Sequence, residues 1–280
     1  VQPRLRPWLL AGFFGGTSYW FCLRECGGVW HFAHIVAVTC LLLSCREALG
    51  KGRGLWAGLW LGLAFLSRQM MLGAVVFLVV ALLQNAALAE RHARLKSLVG
   101  FACALAVCMA AYLLYNVTRF GHPLDTGYGH LALQSFLQVR FERYGMFNPT
   151  YFPFNFAHLF LQGFHIEFGG PALLDVQGLS PFGTSLTFAS PFLLAAFWAR
   201  WQSPLLRSAW VSILLICLPS LFYYNNGWYQ INAQRFSLDF LPILILVVAR
   251  SLDRVDEKLW KGAVLFSVGL NALAFCFPPT

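Results

Sequence analysis

Apolar residues run through this chain in long blocks rather than in the short alternations of half-buried strands. A helix that crosses a bilayer needs about 20 consecutive apolar residues. Blocks that meet or approach that length lie at 7–23, 29–49, 97–116, 205–225 and 260–277, with two shorter ones at 186–200 and 236–250. The run 54–83 is longer and carries Arg68 and Gln69 near its middle, so either one tilted helix or two short ones, 54–67 and 69–83, account for it. The pattern predicts an all-α fold: a polytopic transmembrane helix bundle of about eight spans. Transmembrane helices fill 1–116 and 186–280, and a long outer-face loop, 117–185, separates them. That loop is too polar and too rich in Pro and Gly to cross, yet it carries apolar faces at helical spacing. They are Leu133, Phe136, Leu137 and Phe141, then Phe156, Leu159, Phe160 and Phe164. Such faces suit interfacial helices, which either cover the bundle or line an entrance for a lipid substrate.

Composition supports the membrane reading. The 280 residues are 59% hydrophobic and 11% charged, against about 45–50% and 25% in a soluble domain. A net charge of +9 would suit nucleic acid only as a continuous basic face, and these Lys and Arg residues sit instead in small clusters between apolar runs, so no nucleic-acid partner is expected. Clusters of that kind orient a membrane protein, because Lys and Arg in short loops prefer the cytoplasm. If 54–83 crosses twice, fourteen of the twenty basic residues fall on one side: Arg4, Arg6, Arg46, Lys51, Arg53, Arg91, Arg94, Lys96, Arg200, Arg207, Arg250, Arg254, Lys258 and Lys261. A single crossing would invert the Arg91 cluster, so two crossings are expected. Arg24, Arg68, Arg119, Arg140, Arg143 and Arg235 then face outward with 117–185, and the C-terminus lies outside. Six cysteines (Cys22, Cys40, Cys45, Cys103, Cys108, Cys217) lie in or beside apolar runs without metal-type spacing and read as packing residues.

Candidate chemistry gathers at the outward turns. An ionisable group at membrane depth is costly and needs a reason. Arg68, between two short apolar halves, either grips a phosphate bidentately or anchors to lipid headgroups. Arg119 leaves its span in the string 115–128, where Gly121 and Pro123 make a turn that would bring Arg119, His122 and Asp125 close to the outer membrane face, unless Arg119 is an ordinary anchor at a span exit. The string 223–236, with Tyr229, Gln234 and Arg235, sets aromatic rings beside amides and a cation, as sugar or phosphosugar recognition requires and as an interfacial aromatic belt also would. Asp239, one turn into an apolar helix, should be paired, and Arg235 stands at the i, i+4 spacing. His31 and His34 share a helix face, but no third metal ligand is nearby. Glu142, Glu167 and Asp175 are outward carboxylates that nothing singles out as a general base.

The strings 62–68, 116–128 and 234–242, with Gly16-Thr17 and 30–34, resemble the bacterial polytopic glycosyltransferases of the GT-C class, related to the protein O-mannosyltransferases and aminoarabinose transferases. The resemblance covers most of the chain through motifs that are individually weak. It implies a multi-pass protein of the bacterial inner membrane that takes a sugar from a polyprenyl-phosphate donor at the outer face and passes it to a lipid, glycan or protein acceptor. Arg68 matches a position where such enzymes carry a basic residue between two short helices, with Arg119 and Arg235 next in line and His34, Tyr128, Tyr229, Gln234 and Asp239 as further substrate contacts. It further implies that the chain starts part-way into the family layout and lacks the acidic first outward loop that holds the catalytic base. The donor and membrane lipids are the expected partners. No cofactor is fixed, and a divalent metal stays open. A transporter or flippase for a lipid-linked or polar substrate, or a non-catalytic membrane scaffold, are the competing readings.

Overall fold

The computed structural model describes residues 2–131, 133, 135–225 and 234–276. It is mostly helical, and three helices are long and apolar enough to cross a membrane: α3 (Val29–Leu49), α6 (Arg91–Phe120) and α10 (Pro204–Leu221). Shorter helices complete the bundle: α1 (Arg6–Gly15), α2 (Tyr19–Arg24), α4 (Gly54–Ser67), α5 (Val75–Leu83), α11 (Leu241–Ser251) and α12 (Glu257–Phe275). The most apolar of the three long helices is also the least buried. The apolar stretch of α6 has a mean hydropathy of 2.2, and 22% of it is buried, against 50% in α3 and 44% in α10. Val107 and Leu114 stand exposed along it. Such a surface is stable only against another apolar medium. At about 1.5 Å per residue the helix is longer than a hydrocarbon core of about 30 Å is thick, with Arg91, Arg94 and Lys96 near one end and Arg119 near the other.

Helices α3, α4, α5 and α6 run in alternating directions. Asn85, just beyond α5, donates to the Ala48 and Gly50 carbonyls at 2.7 and 3.0 Å, so the run from α4 through α5 returns to the end of α3 from which α4 departs. The chain turns back at Arg68, whose backbone leaves the helical region (φ −147°, ψ 101°) before a 3₁₀ turn over Gln69–Ala74. The two-helix alternative for 54–83 therefore describes this backbone. Ser212 Oγ accepts from Phe77 N at 3.0 Å, which sets α10 antiparallel to α5. At the same end Arg4 pairs with Glu257 at 2.8 Å, and Arg53 with the buried Glu47. The fourteen basic residues named above sit on the termini and connections at this end.

Helix α4 lies parallel to α6 through Gly54, Gly58 and Gly62. A methyl group at Gly54 would collide with the Ser97 carbonyl, one at Gly58 with the Phe101 carbonyl and one at Gly62 with Cys108. Small residues every fourth position let two backbones meet, the usual device where helices pack without a hydrophobic driving force. Ser97 Oγ locks the start of this seam by accepting from Gly54 N (2.9 Å) and donating to Gly52 O (2.6 Å).

Several elements depart from the expected blocks. The block 7–23 is two helices, broken at Gly16, Thr17 and Ser18. Gly16 packs against Phe192 and Ser267 with no room for a side chain, and its carbonyl accepts from Ser190 Oγ. The block 186–200 is one α-turn (Leu186–Ala189, α9) followed by a 3₁₀ run over Pro191–Trp198. The block 236–250 becomes helical only at Leu241, after a 3₁₀ turn over Arg235–Asp239, with Pro242 in its first turn. The segment between α6 and α9 begins after Phe120 and holds α7 (Ser135–Tyr144), α8 (Phe152–Phe156) and an antiparallel hairpin of β1 (Ile166–Gly169) and β2 (Asp175–Leu179) that the apolar pattern does not predict. Its two apolar faces differ in fate. Leu159, with Phe156 and Phe160 against it, joins the main core, while Leu133, Phe136 and Phe141 pack with Leu137, Tyr151 and Tyr224 in a separate cluster.

Candidate functional site

The end of the bundle opposite the basic loops holds a cavity of about 490 Å³. Its walls come from the N-terminal turns of α3, the break after α4, the loop 126–133, α7 and the ends of the 222–235 connection. Helix α10 stops beneath it because Asn155 Nδ2 reaches the carbonyls of Ser220, Leu221 and Tyr223 at 3.2, 3.0 and 2.8 Å, serving backbone acceptors that the helix end leaves open. That termination turns Tyr223 and Tyr224 into the cavity wall.

Arg68 and Asp239 meet in the floor. Nε of Arg68 donates to Oδ1 at 3.1 Å and Nη2 to Oδ2 at 2.7 Å, with 13% of the arginine side chain exposed and none of the aspartate. This paired geometry is the strong form of a guanidinium–carboxylate contact. The Phe236 ring lies 4.9 Å from the same guanidinium. His34 Nδ1 stands 3.2 Å from Asp239 Oδ1, short of hydrogen-bond alignment. Arg235, buried at 7% exposure, lines the cavity beside them, with Nη1 3.4 Å from His31 Nε2. Both guanidiniums line the cavity, and no Asp or Glu stands among its described lining residues. Above this floor Trp30 and Tyr128 stack at 5.9 Å with an interplanar angle of 29°, and Tyr128 meets Tyr223 edge-on. The site is a cationic floor under aromatic walls.

The expected pairing of Arg235 with Asp239 does not occur. It presupposes an α-helix, and these residues form a 3₁₀ turn, in which i and i+3 eclipse and i+4 swings away. Asp239 instead reaches an arginine 171 positions earlier in the chain. Arg119 also stays out of the cavity: it is exposed at the end of α6, donates to its neighbour Tyr115 and lies over the Phe120 ring. His122 accepts from Leu124 N, and Asp125 bonds His130 and Gly127 N. The His130 and Gly127 contacts hold the Asp125 carboxyl below the ordinary carboxylate range. Gln234 serves the fold rather than the cavity, donating to Phe182 O while its own carbonyl accepts from Ser237 Oγ. Tyr229 lies outside the described residues. His31 and His34 turn to different partners, Arg235 and Asp239, and no metal-type group of three His, Cys, Asp or Glu occurs among the described residues.

Sequence reasoning missed the long-range link between Arg68 and Asp239. The signal was present: Arg68 is the lone charged residue of 54–83, and Asp239 the lone charged residue of 236–249. Two isolated opposite charges in apolar runs are natural partners. No protein-family model matches the chain, and neither a curated protein nor a solved structure matches it.

Proposed function

We propose that this protein is a multi-pass membrane glycosyltransferase of the GT-C kind, whose cavity holds a polyprenyl-phosphate-linked sugar donor at the outer face of a bacterial cytoplasmic membrane. The observation that carries this reading is the cationic floor, Arg68 and Arg235 around Asp239, set under stacked aromatic rings at the end of the bundle opposite fourteen basic residues. Basic loops mark the cytoplasmic side, which puts the cavity outside. The alternating helices support nine passes, the number the apolar blocks give when 54–83 crosses twice, with the N-terminal end inside and the last helix ending outside. Guanidiniums bind the phosphate and stabilise it as it leaves, aromatic faces hold the sugar, and a lipid, glycan or protein hydroxyl receives it. A transporter would carry its charged groups near mid-membrane on several helices. Here they gather at one end, which favours the transferase.

Binding separates this reading from a scaffold. Charge-assisted hydrogen bonds of about 1.5–3 kcal/mol make the protein in nanodiscs bind decaprenyl phosphate about ten to a hundred times more tightly than decaprenol. Equal affinity for the phosphate and the alcohol would remove the anion from the site.

A further inference from the structure

His34 presents an unexplained polar atom. It is fully buried and lines the cavity; Nδ1 faces Asp239 Oδ1 at 3.2 Å, and Nε2 has no hydrogen-bond partner among the described residues. Buried polar atoms without partners are rare in folded proteins, and each calls for a reason. The tautomer follows from its neighbour. Nδ1 faces a carboxylate oxygen at 3.2 Å, where two lone pairs would repel, so Nδ1 carries the hydrogen. Arg68 already supplies the positive charge opposite that carboxylate, so the ring is neutral and Nε2 holds a lone pair. The protein therefore places a buried acceptor in the cavity, and no described residue donates to it.

The geometry points to His34 Nε2 as a hydroxyl-binding subsite: it accepts a hydrogen bond from a neutral sugar hydroxyl of the ligand whose phosphate meets Arg235 and Arg68. The chemistry of the surroundings selects that class of donor. An ammonium group would approach two guanidiniums and be repelled, and a carboxylate or phosphate oxygen has no proton to give. A hydroxyl is neutral, donates once, and is small enough to reach a ring nitrogen packed edge-on to Phe236 at 5.8 Å. Asp239 ties the two subsites together, since one of its oxygens bonds the Arg68 guanidinium Nη2 while the other faces His34. Anion recognition and hydroxyl recognition are thereby held at a fixed separation. The inference rests on the proposed donor and sharpens it: the cavity distinguishes a glycosylated lipid phosphate from a bare one.

The test compares decaprenyl phosphate with decaprenyl phosphates carrying glucose, mannose, galactose or arabinose, each titrated against the wild-type protein and His34→Phe in nanodiscs. Phenylalanine keeps the ring and removes the acceptor. His34→Met, which fills the space with no comparable acceptor, is read alongside in case the aromatic variant does not fold. Wild-type protein is expected to bind at least one glycosylated lipid tighter than the bare one. Both variants should lose about ten-fold for that lipid and much less for decaprenyl phosphate. His34→Gln, whose amide oxygen reaches toward the Nε2 position, should recover part of the difference. An equal loss for both lipids would make His34 structural and overturn the inference. A sugar preference that survives in both variants, or a wild-type protein indifferent to every sugar, overturns it as well, and in each of these cases the lipid-phosphate reading stands. Failure of decaprenyl phosphate itself to bind wild-type protein removes that reading instead, and the inference with it.

Discussion

Replacing Asp239 with asparagine is expected to destabilise the protein by about 3–5 kcal/mol, the usual cost of removing one member of a buried, hydrogen-bonded ion pair. Asp239 is wholly buried and neutralises a guanidinium that is itself almost entirely enclosed. Without the carboxylate, Arg68 loses its paired acceptor and His34 Nδ1 its neighbour. The converse change, Arg68→Met, should be as severe, because it strands a carboxylate among apolar side chains. The double variant Arg68→Met with Asp239→Leu should recover most of the loss, since an apolar replacement of both charges avoids the unpaired state. Thermal unfolding in detergent reads all three. Single variants within about 0.5 kcal/mol of wild type would mean that the pair is solvated and weak, as exposed pairs are.

Arg235→Gln should act on binding instead. Loss of one charge-assisted contact to phosphate is worth about 1.5–3 kcal/mol, so decaprenyl phosphate affinity should fall about ten- to a hundred-fold while affinity for decaprenol stays where it was. Arg119→Gln is the matched control. It removes the same charge from the same end of the bundle, but Arg119 is exposed outside the cavity, and its loss should leave the affinity within about two-fold, the scale of an exposed, screened charge. If Arg119→Gln weakens binding as much as Arg235→Gln, attraction to the surface as a whole is at work and the cavity is not the site.

The sequence made the broad plan legible, and the reasons are physical. Transmembrane blocks are encoded by length and hydropathy alone, which is why α3 coincides with its block and why Arg68, alone in its run, marks the turn between α4 and α5. The Gly54, Gly58 and Gly62 seam was equally readable from its four-residue spacing and went unread. The apolar pattern did not encode breaks that depend on partners. Gly16 is helix-breaking here because Phe192 and Ser267 crowd it, and those residues lie far along the chain. The β1–β2 hairpin escaped because its strands are only four and five residues long. At the site, Arg68, Arg235, Asp239, His34 and Tyr128 all stand out in the sequence and the structure brings them to one place, but with a different pairing from the expected one. A helical i, i+4 rule was applied to a stretch that is a 3₁₀ turn, and Asp239 went to Arg68. Arg119 and Gln234 were drawn in by neighbouring motifs, although one ends exposed and the other holds a loop.

The most direct test of the account is photo-cross-linking with a decaprenyl phosphate that carries a diazirine close to its phosphate, in the native membrane, with the adducts mapped by mass spectrometry. The account predicts adducts on the cavity wall, at Trp30, Tyr128, Leu133 and Tyr223, which excess unlabelled decaprenyl phosphate suppresses and Arg235→Gln reduces. Adducts confined to the lipid-facing surfaces of α6 and α12, insensitive to competitor, would contradict it.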